Sequence, residues 1–140
     1  MKKFLQKHSR IALAGVVGAS LFATTQFASA SDDNVGYSFT IGPNYSNSYS
    51  SARYRETSSN ANPWKVKFAY SAEGSGTFTT FWLDKSGTRV SVAPVVKQGT
   101  TEYNGTYDGA QKSNVRLGAE NNNFNSSSYK VSGYWDEETW

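Results

Sequence analysis

The sequence has 140 residues and no cysteine, and its one histidine, His8, and one methionine, Met1, both fall within the first ten positions. Its 14 Lys and Arg outnumber its 11 Asp and Glu, but Lys2, Lys3, Lys7 and Arg10 precede every acid, and the chain after residue 30 has net charge −1. That part excludes disulfides, thiolate or histidine catalysis and thiolate zinc sites; it offers no basic field for nucleic acid, and it suffices for one core, not two.

Residues 1–30 read as a cleavable secretory signal. Four basic residues lead into an uncharged stretch over 11–25, and the small residues Ala28 and Ala30 follow. Gly15, Gly18, Ser20, Thr24 and Thr25 dilute an apolar run of about fifteen residues, short of the roughly 18–20 that a spanning helix needs. Cleavage is expected between Ala30 and Ser31, leaving one secreted, extracellular domain over 31–140. No second apolar stretch follows, so no covalent membrane or wall anchor is expected.

From Val35 onward, short apolar and polar alternations are separated by Gly, Asn, Asp and Ser clusters about every ten residues, the pattern of an antiparallel β protein. Over 35–41, alternation puts Tyr37, Phe39 and Ile41 on one face and Ser38 and Thr40 on the other. Residues 49–56 form a weaker, more polar strand. The clearest strand is 64–70, with Trp64, Val66, Phe68 and Tyr70 sharing one face against Lys65 and Lys67. Glu73-Gly74-Ser75-Gly76 precedes a strand and not a helix, which makes it a hairpin loop and no phosphate cradle. Residues 77–83 are apolar on both faces, Phe78 and Trp82 against Phe81 and Leu83, as in a central strand covered on both sides. Asp84-Lys85-Ser86-Gly87 reads as a type I turn. Strands over 89–92 and 95–98 are divided by Pro94, which marks an edge or a bulge. Residues 101–107 enclose Asn104-Gly105, the pair favoured in a type I′ hairpin. Residues 121–128 form a solvated loop between strands over 113–117 and 128–135. Seven or eight strands in about 110 residues predict an all-β fold, a single antiparallel β-sandwich, with a small barrel as the alternative.

Asp and Glu are the acid–base groups left after residue 30, and glycoside hydrolysis needs two of them. The candidates are Glu56, Glu73, Asp84, Glu102, Asp108, Glu120 and the run Asp136-Glu137-Glu138. Glu73, Asp84 and Asp108 sit beside glycines in expected turns, and no spacing singles out a pair. No catalytic residue is assigned. Asp32-Asp33-Asn34 and Asp136-Glu137-Glu138 would share a cation only if the chain ends met; solvated termini are the expectation, and no metal or cofactor is assigned.

The aromatics carry more signal, since of the four Trp, nine Tyr and eight Phe only Phe4, Phe22 and Phe27 precede residue 31. Tyr45, Tyr49 and Tyr54 lie in a Ser/Asn-rich stretch with Arg53 and Arg55, and Trp135 and Trp140 flank three consecutive acids. Rings on a polar surface suit stacking on sugars or resting at a lipid headgroup layer. The candidate binding set is therefore Trp135, Trp140, Tyr49, Tyr54, Arg53 and Arg55. The three acids argue against burial of the tail that carries the two tryptophans.

At Asn62-Pro63-Trp64-Lys65-Val66, at Thr80-Phe81-Trp82-Leu83 and at Gly133-Tyr134-Trp135-Asp136-Glu137-Glu138-Thr139-Trp140, the chain resembles DUF2712, a family of small exported proteins of Gram-positive bacteria. The likeness covers essentially the whole chain, and the family carries no established activity to transfer. A looser similarity, in export, aromatic content, lack of cysteine, β structure and a closing Trp, is to bacteriocins of the lactococcin 972 type. Those act at the envelope of competing cells by interfering with wall synthesis, and no continuous motif is shared with them. The expectation is a secreted, non-enzymatic protein that binds a cell-wall or membrane-surface component of a bacterial envelope, in a bacteriocin-like or bacteriocin-associated role. A carboxylate-dependent hydrolase of wall glycans and a structural surface or matrix protein are the alternatives.

Overall fold

The computed structural model describes residues 33–140; the expected signal segment and the cleavage point between Ala30 and Ser31 lie outside the described residues. The strands are β1 (Val35–Ile41), β2 (Ser48–Tyr49), β3 (Arg53–Arg55), β4 (Trp64–Ser71), β5 (Phe78–Lys85), β6 (Thr88–Arg89), β7 (Val95–Lys97), β8 (Thr101–Asn104), β9 (Ser113–Asn121) and β10 (Tyr129–Asp136). They form two antiparallel sheets. One has four strands in the order β1-β10-β4-β8. The six-stranded sheet is built on β9 and β5, with β2 and β3 along one side of β9 and β6 and β7 along the far side of β5. Neither closes on itself, so the architecture is a sandwich and not a barrel.

The chain passes repeatedly between the layers, and this follows from the alternating pattern: each long strand has one apolar face, which must be covered by the opposite sheet. Tyr37, Phe39 and Ile41 of β1, Trp64, Val66 and Phe68 of β4, Phe81 and Leu83 of β5, Val115 and Leu117 of β9, and Val131 and Trp135 of β10 all meet in that core. Fully burying one such side chain is worth roughly 1.5–3 kcal/mol. A core of this size stands in for the disulfides the chain lacks.

Several local expectations are corrected. Tyr70 does not join Trp64, Val66 and Phe68 on the inner face. Gly133 pairs with Phe68 while Ser132 pairs with Tyr70, so Ala69 is an extra residue and the bulge turns Tyr70 outward. Gly133 makes the bulge possible, because a Cβ there would sit 1.8 Å from the Lys67 carbonyl oxygen. Asn104-Gly105 is not a hairpin: β8 ends at Asn104, and Thr106 then bridges to Ser91 beside the other sheet. The primed turn lies instead at Ser86-Gly87, both at positive φ (51° and 90°), between the paired residues Lys85 and Thr88. Gly74 is likewise no hairpin centre, since β4 and β5 belong to different sheets. The weak strand over 49–56 is two short strands, β2 and β3.

Candidate ligand-binding face

The bulge and the open edges leave a particular surface on the outside of the four-stranded sheet. Cross-strand register places Gly36, Tyr134 and Lys67 in one row, with Thr101 beyond, and Ser38, Ser132 and Tyr70 in the next. Lys65 and Tyr103 pair on the other flank, and the Lys65 Nζ lies 5.9 Å from the Tyr103 ring centre. Tyr70, Tyr103 and Tyr134 are 53%, 61% and 52% exposed. Around them Gly36, Ser38, Thr40, Thr101 and Lys130 are exposed and carry hydroxyls, a charge or no side chain at all. On these four strands the acids are Asp136, which is buried, and Glu102, which pairs with the inward Val66. The face thus combines three open rings with Lys67 and Lys130. A cleft of about 290 Å³ lies off the β1 edge toward the other sheet, lined by residues 36–39 and 49–51 and by none of Tyr70, Tyr103 and Tyr134.

The outer face of the six-stranded sheet also holds aromatics and cations, but they are spent on each other. Trp82 and Tyr49 pair in register with the same Gly118, one from each side. A Cβ on Gly118 would lie 2.4 Å from the indole, so the glycine is what lets Trp82 lie flat on the sheet. Tyr49 meets Trp82 edge-on at 6.1 Å. Arg89 covers the Trp82 ring at 4.5 Å and Arg116 covers the Tyr49 ring at 3.8 Å. Arg116 donates to the buried Asp84 carboxylate at 2.8 Å, and Arg89 lies 3.7 Å from Glu120.

The six expected binding residues are dispersed. Tyr49 belongs to the covered cluster just described. Tyr54 is exposed beside Asn114 at the far end of that sheet. Trp135, at 1% exposure, is a core residue, and the tail after it is buried as well, contrary to the expectation drawn from three consecutive acids. The reason is that each acid has donors. Glu138 accepts the backbone N–H groups of Glu56 and Thr57 at 2.9 and 2.7 Å, Glu137 accepts from the Arg53 Nε, and Asp136 accepts the Glu138 N–H at 3.3 Å. Arg55 is fully buried and donates to the carbonyls of Glu137, Ser59 and Asn62. Burial pulls its guanidinium below the ordinary value, against the pull of Glu138, Glu137 and Asp136. The Glu137 hydrogen bond, by contrast, raises that of Arg53. Asn62 completes the clasp by accepting the N–H groups of Thr139 and Trp140 through Oδ1 and donating to the Trp140 carbonyl. Only the Trp140 side chain of this tail stays open, at 62%.

The two ends of the described chain do meet, but through an arginine: Arg53 lies 3.8 Å from Asp33 while it holds Glu137. Among the described residues no group of three or more His, Asp or Glu is placed to hold a metal ion. Asp84, Glu120, Glu137 and Glu138 are engaged as above, and Asp108 accepts from Asn60 at 2.6 Å.

Sequence reasoning missed Tyr70, Tyr103 and Tyr134. Tyr134 was open to it, since unbroken alternation over 129–135 sets it opposite the inward Tyr129, Val131 and Trp135. Tyr70 was not, because its parity depends on a bulge set by a partner strand more than sixty residues away.

A family model described as a protein of unknown function, DUF2712, matches residues 24–139. The chain belongs to that family. No curated protein and no solved structure matches it.

Proposed function

We propose that this DUF2712 protein is a secreted, non-enzymatic module that binds glycan at a bacterial cell envelope through the outer face of its four-stranded sheet, in a bacteriocin-like or bacteriocin-associated role. The observation that carries the reading is the grouping of Tyr70, Tyr103 and Tyr134, each more than half exposed, on one sheet face with Lys67 and Lys130. Aromatic faces supply rigid contact area at little entropic cost, and hydroxyls such as those of Ser38 and Thr40 supply hydrogen bonds to a polyol. Neighbouring strands are about 4.8 Å apart and each residue rises about 3.4 Å, so Tyr134 on β10 and Tyr103, two strands across and two residues along on β8, stand about 12 Å apart, with room for more than one sugar ring. The lysines favour an anionic polymer over a neutral one.

The test is binding of the protein beginning at Ser31 to intact Gram-positive cells, isolated walls and walls stripped of anionic polymer. Saturable binding to walls, weakened by stripping and by Tyr134→Ala, is the expected result. Absence of saturable binding to all three overturns the proposal. Glycan turnover abolished by one Asp or Glu substitution would replace it with the hydrolase reading, and concentration-dependent self-assembly without saturable binding would replace it with the matrix reading.

A further inference from the structure

Two loops at one end of the sandwich, residues 42–47 after β1 and 122–128 before β10, touch at their tips. The Asn44 N–H donates to the Asn125 carbonyl at 2.8 Å, and the rings of Tyr45 and Phe124 meet at 5.5 Å with 53° between their planes. Neither ring serves the core. Phe124 is 69% exposed, the most open of the large apolar side chains among the described residues, and Tyr45 is 47% exposed.

The tip is built and not slack. Asn121 is buried, donates to the Asn125 side chain at 3.1 Å and accepts the Asn123 N–H at 3.0 Å, while Asn125 accepts the Ser127 N–H at 3.0 Å. On the other loop the Ser46 N–H returns to the Pro43 carbonyl at 3.0 Å, and both Asn44 and Tyr45 take positive φ, 53° and 59°. Asparagine visits that region readily; a bulky tyrosine does not. The fold therefore holds Tyr45 outward at a conformational cost, and backbone strain of this kind clusters at active sites, ligand clamps and switch regions.

Charge decides what the tip can meet. Residues 42–52 and 121–129 contain no Asp, Glu, Lys or Arg. We infer that this tip is a membrane-surface contact, with Phe124 and Tyr45 seated at the headgroup boundary of a lipid bilayer and the surrounding Asn and Ser groups in the headgroup layer. Aromatic rings concentrate at that depth, and charged groups resist entering it. The same end of the sandwich carries Lys130, two residues after the loop, Lys97, paired with Phe78, Glu73 in the β4–β5 connection, and Glu120, two residues before the loop, which Arg89 meets at 3.7 Å. With Glu120 met by Arg89, two cations against the one remaining acid favour anionic lipid. A sugar ring is the weaker occupant, because the two rings already touch and leave no slot between them, and the side chains of Asn121 and Asn125 are engaged within their own loop. The two rings lie apart from the tyrosine face, with which the tip shares only Lys130, and the inference does not depend on glycan binding there.

The experiment is co-sedimentation of the protein beginning at Ser31, which keeps the apolar run over 11–25 out of the measurement, with vesicles of phosphatidylcholine alone or mixed with phosphatidylglycerol. Wild type is expected to bind both and to bind the anionic mixture more strongly. Phe124→Ser should reduce the bound fraction at least fivefold and Tyr45→Ser by a smaller factor. Phe124→Trp should restore binding, and none of the three should shift the melting temperature by more than a few degrees. No binding by wild type, or equal binding by Phe124→Ser, overturns the inference. Loss of wall binding with unchanged vesicle binding in Phe124→Ser also overturns it, in favour of a sugar contact. Should Phe124→Ser fail to fold, Phe124→Trp and Tyr45→Ser decide the matter by the same readout.

Discussion

The two outer faces of the sandwich use the same materials to opposite ends. On the six-stranded sheet, Trp82 and Tyr49 lie over Gly118 and are roofed by Arg89 and Arg116, whose charges are met by Glu120 and Asp84. On the four-stranded sheet, Tyr70, Tyr103 and Tyr134 stand open beside Lys67 and Lys130. Arginine spreads its planar guanidinium over a ring and still forms a directed bond to a carboxylate, whereas lysine is a compact charge on a flexible stem, and Tyr103 stays 61% exposed with the Lys65 Nζ 5.9 Å from its ring centre. A face whose cations and rings satisfy one another contributes to stability. A face whose rings remain open contributes little to it and is available to a ligand.

The largest effects should fall on the closed face. Trp82→Ala is expected to cost about 3–5 kcal/mol, since the indole is buried against Gly118, Tyr49 and Arg89. Gly118→Ala should cost about 1–3 kcal/mol by forcing the same ring off the sheet. Chemical denaturation measures both, and unchanged midpoints would erase the distinction between the faces. Arg116→Ala comes next, at about 1–2 kcal/mol, because it uncovers Tyr49 and leaves the buried Asp84 carboxylate with the Gly87 N–H. Arg116 is partly exposed, so this loss should shrink in high salt.

How far the sequence could have led to this contrast depends on the range of the forces involved. Alternation over 35–41 and 64–68 is local, and it correctly assigned the core and the sandwich. The Tyr70 flip needs Ala69 to be extruded opposite Gly133, and the buried tail needs Arg55 and Asn62 to meet residues about eighty positions away. No window of a few residues contains those pairings. The acids of the tail therefore read as solvated although they are clasped, and Trp135, their neighbour, read as surface although it is core.

A third, smaller test concerns tyrosines turned inward. The Tyr37 hydroxyl donates to the Lys67 carbonyl at 3.0 Å, and burial raises its pKa far above the ordinary tyrosine value of 10.0. Burial also raises that of Tyr129. A phenol whose pKa is higher folded than unfolded keeps its proton in the fold and loses it in the unfolded chain, so its full stability is present below pH 10 and drains away as pH rises above it. Denaturation midpoints should fall above pH 10, and Tyr37→Phe should flatten that decline. A midpoint unchanged between pH 9 and pH 11 would show that neither phenol is sequestered.

The smallest effect on stability should come from the residue with the largest effect on binding. Tyr134 projects from β10 between Gly36 and Lys67, more than half exposed, with its inward neighbours Trp135 and Val131 holding the strand. Tyr134→Ala removes no core contact and should change the unfolding free energy by no more than about 0.5 kcal/mol. Wall binding should nonetheless fall markedly, since the central ring of the open face is gone. Tyr49→Ala is its mirror image: the ring lies under Arg116 and against Trp82, so stability should drop measurably while wall binding persists. The pair is best measured side by side, by thermal unfolding and by sedimentation with isolated walls. If both substitutions move stability and neither moves binding, the open tyrosines are packing residues and the division between the two faces fails. If Tyr134→Ala alone weakens binding, exposure rather than aromatic content decides which face meets a ligand.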